Sequence, residues 1–209
     1  MNNLLMLGYE VAAALIPFFI GLLVLNWIYK KTINKTMNAK HIVGLGVFAI
    51  YMIGVFHFTG AGTIWDAMRY HFEIKSWQIN LVPFSNDIDA AAYLLNILLF
   101  IPLGFLLPYM NTKMNRAKYA VMIGMLFSLI IELSQLLNNR STDIDDFMLN
   151  TFGAAIGYGI FEVAIRVCKT GLNNTDYYKY EAVVFMAVML LGRFLLYDEF
   201  KLARLLYGF

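Results

Sequence analysis

The stretch Ala90–Met110 reads AAAYLLNILLFIPLGFLLPYM and contains no charged residue. A helix that crosses the hydrocarbon layer of a bilayer needs about 20 mostly apolar residues. This stretch is long enough and apolar enough to meet that requirement, although it carries one amide side chain, Asn96. The stretch therefore predicts a membrane-spanning helix with a polar group at a defined depth.

Similar stretches lie on both sides of it. They are Val11–Tyr29, Ile42–Gly60, Tyr119–Leu137 and Phe147–Val167, with a shorter one at Ala182–Leu196. The whole chain is 60% hydrophobic and 14% charged, whereas soluble domains have about 45–50% apolar and about 25% charged residues. We predict an all-α, polytopic integral membrane helical bundle with five to six transmembrane helices, forming a single membrane domain over residues 1–209. The shorter stretch could be a tilted span, a re-entrant helix or a helix in the interface.

Composition also limits the classes of function. The net charge of +2 is too small for a nucleic-acid-binding surface, so we expect no nucleic-acid partner. The histidines His41, His57 and His71 lack the spacing of a metal site, and no cofactor is expected. A cation site formed by oxygens of Glu132, Asp143 and Asp146 stays open as an alternative. Nothing in the sequence indicates the oligomeric state.

The distribution of basic residues predicts the orientation. Three of the short loops are basic: they hold Lys30, Lys31, Lys35 and Lys40, then Lys113, Arg116 and Lys118, then Arg166, Lys169 and Lys179. The intervening loop 139–146 has only Arg140 beside three aspartates. Because Lys and Arg are enriched in cytoplasmic loops, we predict a multi-pass protein of the plasma membrane with its N-terminus outside. The loop 139–146 would then face the extracellular side.

The segment 61–89, after the second span, is predicted to lie on that outer side. Ile64, Trp65, Met68 and Phe72 have helical spacing, and tryptophan favours the depth of the lipid headgroups. This pattern predicts an extracellular amphipathic helix, with an ordinary loop carrying interfacial anchors as the alternative.

Polar residues in three predicted spans lie at similar depths. At a rise of about 1.5 Å per residue, Glu132 lies about 9 Å inside the outer end of its span, Asn96 about 7–8 Å and Asn150 about 5 Å. Polar side chains within a membrane are costly, so they usually face the interior of the bundle and mark a functional site. The sequence therefore predicts one polar pocket that opens to the outside.

Helical spacing predicts that further polar residues face this pocket. One stripe consists of Ser128, Glu132, Gln135 and Asn139, and the next span begins with the stripe Asp143, Asp146 and Asn150. Arg140 lies in the turn between the two stripes.

Each polar residue also has a simpler interpretation. Aspartates at the start of a helix, including Asp145 and Asp146, could satisfy its free N–H groups, and Glu132 could form a structural ion pair with Arg140 or Arg69. Glu10 and Glu162 lie near the two ends of the predicted spans. We expect Glu10 to be solvated and Glu162 either to extend its carboxylate to the membrane surface or to pair with Arg166 at i+4.

Five short segments, in this order, resemble the VanZ-like family. They are Asn80–Phe84 (NLVPF), Asn96–Gly104 (NILLFIPLG), Glu132–Gln135 (ELSQ), Arg140–Asp146 (RSTDIDD) and Asn150–Gly153 (NTFG). The resemblance covers about residues 80–157, with helices 9–60 before this core and a helix 181–197 after it. It implies a helical bacterial plasma-membrane protein that reduces susceptibility to teicoplanin and related lipoglycopeptides. The family pattern falls on Asn96, Glu132, Gln135, Arg140, Asp143, Asp146 and Asn150, and no established catalytic mechanism comes with it.

Three functions stay open from the sequence. The first is a non-enzymatic envelope protein that binds membrane lipids or a lipid-linked cell-wall precursor, and so affects lipoglycopeptide antibiotics indirectly. The second is an intramembrane enzyme acting on a lipid head group, and the third is a lipid flippase or transporter. In the enzyme, Glu132 and Asp146 are the candidate catalytic residues. The candidate substrate-binding residues are Asn96, Gln135, Arg140, Asp143 and Asn150.

Overall fold

The computed structural model describes residues 2–34, 36–85, 89–168 and 178–208. The helices are α1 (Asn2–Ile33), α2 (Ala39–Thr59), α3 (Ile64–Arg69), α4 (Ala90–Met110), α5 (Ala117–Gln135), α6 (Ile144–Cys168), α7 (Glu181–Leu196) and α8 (Glu199–Tyr207). Two short strands, β1 (Ile79–Asn80) and β2 (Thr142–Asp143), pair in parallel. Lys35 and Lys169, which contributed to the predicted orientation, lie outside the described residues.

Within the described ranges, five helical segments are long and apolar enough to cross a membrane, which confirms the predicted fold class. These segments are Leu4–Ile33, Ala39–Arg69, Ala90–Met110, Ala117–Asn138 and Ile144–Cys168. Helix α7 has 16 residues and is therefore about 24 Å long, shorter than the ~30 Å hydrocarbon layer. A sixth crossing stays a prediction.

The segment after α2 is helical over a shorter length than its pattern predicts. Helix α3 has six residues, and a capping box between Thr63 and Asp66 starts it. It ends at Arg69, and the positive φ angles of His71 and Phe72, 54° and 56°, lie in a region that a right-handed helix does not use. Phe72 is therefore not on the helix with Trp65, and the predicted helix is formed only over Ile64–Arg69.

The chain divides into two compact units. Unit 1 comprises Met1–Glu73 and Val183–Phe209, and unit 2 comprises Ile74–Ala182. Unit 2 contains all the candidate site residues.

Within unit 2, helices α4 and α6 approach closely through glycines. A side-chain carbon added at Gly153 would overlap the carbonyl oxygen of Ile97, and one at Gly157 would overlap the carbonyl oxygen of Ile101. On the facing helix, a carbon at Gly104 would overlap the backbone of Ala154. This contact fixes α6, whose first turns carry the aspartates and Asn150, against α4, which carries Asn96.

Candidate functional site

A parallel pair of strands joins the segment before α4 to the loop between α5 and α6. Ile79 pairs with Thr142 and Asn80 with Asp143. Just before β1, the fully buried Gln78 donates its side-chain amide to the carbonyl oxygens of Leu136, at 3.2 Å, and Arg140, at 3.1 Å. Residues 78–80 are therefore held by hydrogen bonds against the loop 136–143, which carries Arg140 and Asp143.

Glu132 is buried at the end of α5 with only 2% of its surface exposed. Its carboxylate accepts a hydrogen bond from the backbone N–H of Asp143 at 3.1 Å, and its carbonyl accepts one from the hydroxyl of Thr142 at 2.6 Å. In the part of the chain that the structure describes, no Lys or Arg forms an ion pair with this carboxylate. The predicted alternative of a structural ion pair between Glu132 and Arg140 is therefore wrong.

Asp143, at the end of β2, and Asp145, in the first turn of α6, bind groups from β1, from the segment after β1 and from α4. The carboxylate of Asp143 accepts hydrogen bonds from the side-chain amide of Asn80, at 3.1 Å, and from the backbone N–H of Asp145, at 2.9 Å. Asp145 is 2% exposed and accepts from the backbone N–H of Phe84, at 3.0 Å, and from the hydroxyl of Tyr93. Asp145 therefore binds groups from other segments in addition to its position in the first turn of α6.

The amide side chains connect α4, α5 and α6. Asn96 on α4 donates a hydrogen bond to the carboxylate of Asp146 on α6. Asn150 on α6 is 2% exposed and donates to the hydroxyl of Ser128 on α5 at 3.0 Å. Ser128 lies one turn before Glu132, so the polar groups that the depth estimate selected lie on facing helices. We call the following residues the polar cluster: Asn96, Ser128, Glu132, Asp143, Asp145, Asp146 and Asn150.

Gln135 and Arg140 lie at the edge of the polar cluster. Gln135 is 6% exposed, and its carbonyl accepts a hydrogen bond from the backbone N–H of Arg140 at 3.2 Å. Arg140 is exposed. Asn139 lies beyond the end of α5 with a φ of 60°, so the helical stripe predicted from Ser128 ends at Gln135.

Four residues of this region were not predicted as site residues: Gln78, Asn80, Tyr93 and Asp145. Asn80 is the first residue of the NLVPF segment that resembles the family, and this resemblance is the feature of the sequence that could have identified Asn80 as a site residue. Gln78 bonds to main-chain carbonyls, and Tyr93 bonds to a residue 52 positions away. No local pattern reveals such contacts.

A groove begins at the polar cluster and extends along α5 and α6. Its volume is about 460 Å³, and Phe84 and Asp145 line one end. Val121, Phe152 and Ala155 line it further along the helices. Among the described residues, Asp145 is the only charged one in its lining, so the groove has an apolar wall and a polar end.

The polar cluster does not have the arrangement of a metal site. Within the described ranges, no group of three or more His, Cys, Asp or Glu side chains is placed so that it could hold a metal ion. The cation site considered for Glu132, Asp143 and Asp146 is therefore not assembled.

Unit 1 also contains a buried carboxylate, at a position where the sequence predicts a solvated residue. Glu10 is 6% exposed. Its carboxylate accepts a hydrogen bond from Nε of Arg193 at 3.0 Å and lies 2.8 Å from Nδ1 of His57. The expectation of solvation is wrong because α2 and α7 supply partners that are 47 and 183 positions away. The predicted pair of Glu162 and Arg166 is confirmed, with an N–O distance of 3.3 Å.

Comparison with known proteins gives one family. A family model described as VanZ/LLP1 matches residues 42–165. The match covers more than half of the 209 residues and includes the whole polar cluster; it extends beyond the core of 80–157 in both directions. No curated protein and no solved structure matches the chain.

Proposed function

The chain belongs to the VanZ/LLP1 family, and from this premise we propose that it binds a lipid or a lipid-linked cell-wall intermediate at the polar cluster. The binding takes place at the outer leaflet of the bacterial plasma membrane. Binding lowers susceptibility to teicoplanin and related lipoglycopeptides because the bound lipid is not available to a lipid-anchored antibiotic. No bond is made or broken in this function.

The groove of unit 2 is the observation that carries this proposal. Small-molecule sites usually have volumes of about 300–1,000 Å³, with apolar walls and a few polar groups that set orientation. The groove has about 460 Å³ and one charged end, at Asp145. A hydrocarbon chain fits its apolar wall, and the attached head group then lies beside the polar cluster.

The polar cluster offers suitable partners for such a head group. The side-chain oxygen Oδ1 of Asn150 is buried and has no hydrogen-bond partner among the described residues, and its chain neighbours Leu149 and Thr151 line the groove. Arg140 is exposed beside the cluster, and a guanidinium binds phosphate with two parallel hydrogen bonds. These groups together match a phosphate-linked sugar or glycerol head group.

A second candidate function is an enzyme that modifies a lipid head group. The observation that favours it is the buried carboxylate of Glu132, which has no basic partner among the described residues. A carboxylate in this environment suits general acid or base catalysis. An enzyme would convert a defined lipid pool over time, whereas a binding protein would leave the composition of the pool unchanged.

A groove-filling variant tests lipid binding directly. Ala155→Phe adds a ring where the groove is lined by a methyl group, and Val163→Phe adds the same ring at a position of α6 that is 61% exposed. The measurement is mass spectrometry of lipid that co-purifies with the protein from nanodiscs made of bacterial lipids. We expect Ala155→Phe to lose the bound lipid and Val163→Phe to retain it. Equal lipid content in both variants and the wild type would contradict binding in the groove.

The orientation is tested by single cysteines in a Cys168→Ser background. Ser141 and Lys118 are both exposed. Ser141 lies in a loop predicted to be extracellular, and Lys118 lies at a loop predicted to be cytoplasmic. An impermeant maleimide should label Ser141→Cys on intact cells, and it should label Lys118→Cys only after permeabilisation. The reverse result would place the polar cluster at the cytoplasmic side and refute an action at the outer leaflet.

A further inference from the structure

Unit 1 contains a cavity that the proposed function does not use. Its volume is about 580 Å³, within the range of small-molecule sites. Its polar lining consists of Glu10, His57, Tyr197, Glu199 and Tyr207. All of these except His57 lie outside the segment that matches the family model.

The charges around this cavity leave one carboxylate uncompensated. Glu10 is held by Arg193, whose guanidinium also donates to the carbonyl oxygen of Ala61, so these two opposite charges are already paired. Glu199 has no ion pair in the described ranges. Partial burial, followed by the nearby carboxylates of Asp66 and Glu10, raises the pKa of Glu199 above its usual value. A bound cation would relieve this accumulation of negative charge.

Two aromatic rings stand beside the carboxylates. Tyr197 is 6% exposed, and the guanidinium carbon of Arg193 lies 5.1 Å from the centre of its ring, so this ring already accepts one cation. Tyr207 is 51% exposed and lines the same cavity. Aromatic faces attract ammonium groups electrostatically, and sites for quaternary ammonium ligands are commonly built from them.

We propose that this cavity is a second binding site, which accepts the ammonium group of an amine ligand between Glu199 and the ring of Tyr207. Met6 and Leu7 line the cavity as well and provide an apolar surface for the carbon atoms next to the ammonium. Anionic ligands are disfavoured because the carboxylate of Glu199, unpaired among the described residues, would repel them, while the guanidinium of Arg193 is already bound to Glu10. The ammonium belongs either to a soluble amine or to the head group of a zwitterionic lipid.

The experiment has one arm for each source of the ammonium and uses the purified full-length protein. In the first arm, choline and ethanolamine are titrated by calorimetry into protein in neutral detergent. In the second arm, lipids retained from nanodiscs of phosphatidylglycerol with or without phosphatidylethanolamine are counted by mass spectrometry. Saturable binding of a soluble amine, or selective retention of phosphatidylethanolamine, supports the site and identifies the source.

Matched variants locate the binding. We expect Glu199→Gln to weaken it about tenfold or more and Tyr207→Leu about fivefold, because a charge partner and an aromatic face are removed. Glu73→Gln removes an exposed carboxylate of the same unit that does not line the cavity and should bind like the wild type. Absence of saturable binding in both arms overturns the proposal, as does unchanged affinity in Glu199→Gln and Tyr207→Leu.

Discussion

Each unit contains a buried glutamate that was singled out from the sequence, Glu10 in unit 1 and Glu132 in unit 2, and the two carboxylates have different partners. In unit 1, Glu10 is 6% exposed and is held between Arg193 and His57. In unit 2, Glu132 is 2% exposed and receives one backbone N–H, with no Lys or Arg paired to it among the described residues. The carboxylate of Glu10 therefore has a basic partner, whereas that of Glu132 has none among the described residues.

We infer from this difference a structural role for Glu10 and a functional one for Glu132. Removing a carboxylate from water is costly, and a buried ion pair offsets that cost only when its geometry is good and further hydrogen bonds are made. Glu10 meets both conditions, since Arg193 also bonds to Ala61. Glu132 does not, and uncompensated polar groups inside a membrane are usually kept for function. We therefore expect opposite consequences when each carboxyl group is replaced by an amide.

The largest effect is expected from Glu10→Gln. This substitution leaves the guanidinium of Arg193, 5% exposed, buried without its counter-charge. Breaking a buried pair in this way costs about 3–5 kcal/mol. The measurement is the free energy of unfolding in detergent, or the protein level in membranes.

The double variant Glu10→Gln with Arg193→Met is the control. It removes both charges and keeps the side-chain volumes similar, so it should recover much of the lost stability. If Glu10→Gln is as stable as the wild type, the pair does not hold unit 1 together and the contrast with Glu132 is lost.

A smaller effect is expected where α4 and α6 cross beside the polar cluster. Gly157→Val forces side-chain atoms against the carbonyl of Ile101, and such overpacking typically costs about 1–3 kcal/mol, occasionally more. Gly159 is on the same helix and has nothing within 4 Å of its added carbon. Gly159→Ala should therefore be neutral or stabilise the helix by up to about 1 kcal/mol. Equal thermal stability of the two variants would mean that α6 is not fixed against α4.

Gln78→Ala should have a more local effect. It removes the donor to the carbonyls of Leu136 and Arg140, and unsatisfied buried carbonyls cost about 1–3 kcal/mol. Hydrogen exchange at residues 136–143 should become faster, while unit 1 should be unaffected. Ser76→Ala, at an exposed position just before it, is the control. Unchanged exchange in Gln78→Ala would show that this residue does not secure the loop beside Glu132.

The sequence predicted the membrane helices well because their signal is local. The bounds of α4 agree with the apolar stretch Ala90–Met110. Helix α1 instead extends from Asn2 to Ile33, well beyond Val11–Tyr29, because hydropathy marks the part in the bilayer and not the helix itself. The predicted outer helix failed at His71, since positive φ angles leave no trace in the spacing of apolar residues.

The site was predicted in part for a similar reason. Depth and helical spacing selected Asn96, Glu132 and Asn150, which all lie in continuous helices. The prediction that Glu10 is solvated is wrong because its main partner, Arg193, is distant in sequence. The pattern of a single helix predicts solvation for a charged residue near the end of a span. Asp145 was assigned to the helix start, whereas its carboxylate also binds the backbone of Phe84 and the hydroxyl of Tyr93.

The central claim, that Glu132 serves function and not stability, is tested most directly by Glu132→Gln. The variant keeps the volume and an acceptor for the N–H of Asp143 and replaces the ionisable carboxyl group by a neutral amide. Teicoplanin susceptibility of cells that express it is measured together with the thermal stability of the purified protein. Glu162→Gln, which loses the pair with Arg166, is the matched control and should change neither quantity. We predict that Glu132→Gln folds with a stability within about 1 kcal/mol of the wild type and no longer protects the cells. Full protection by a normally folded Glu132→Gln protein, or a loss of stability near the 3–5 kcal/mol of a broken buried pair, would contradict the account.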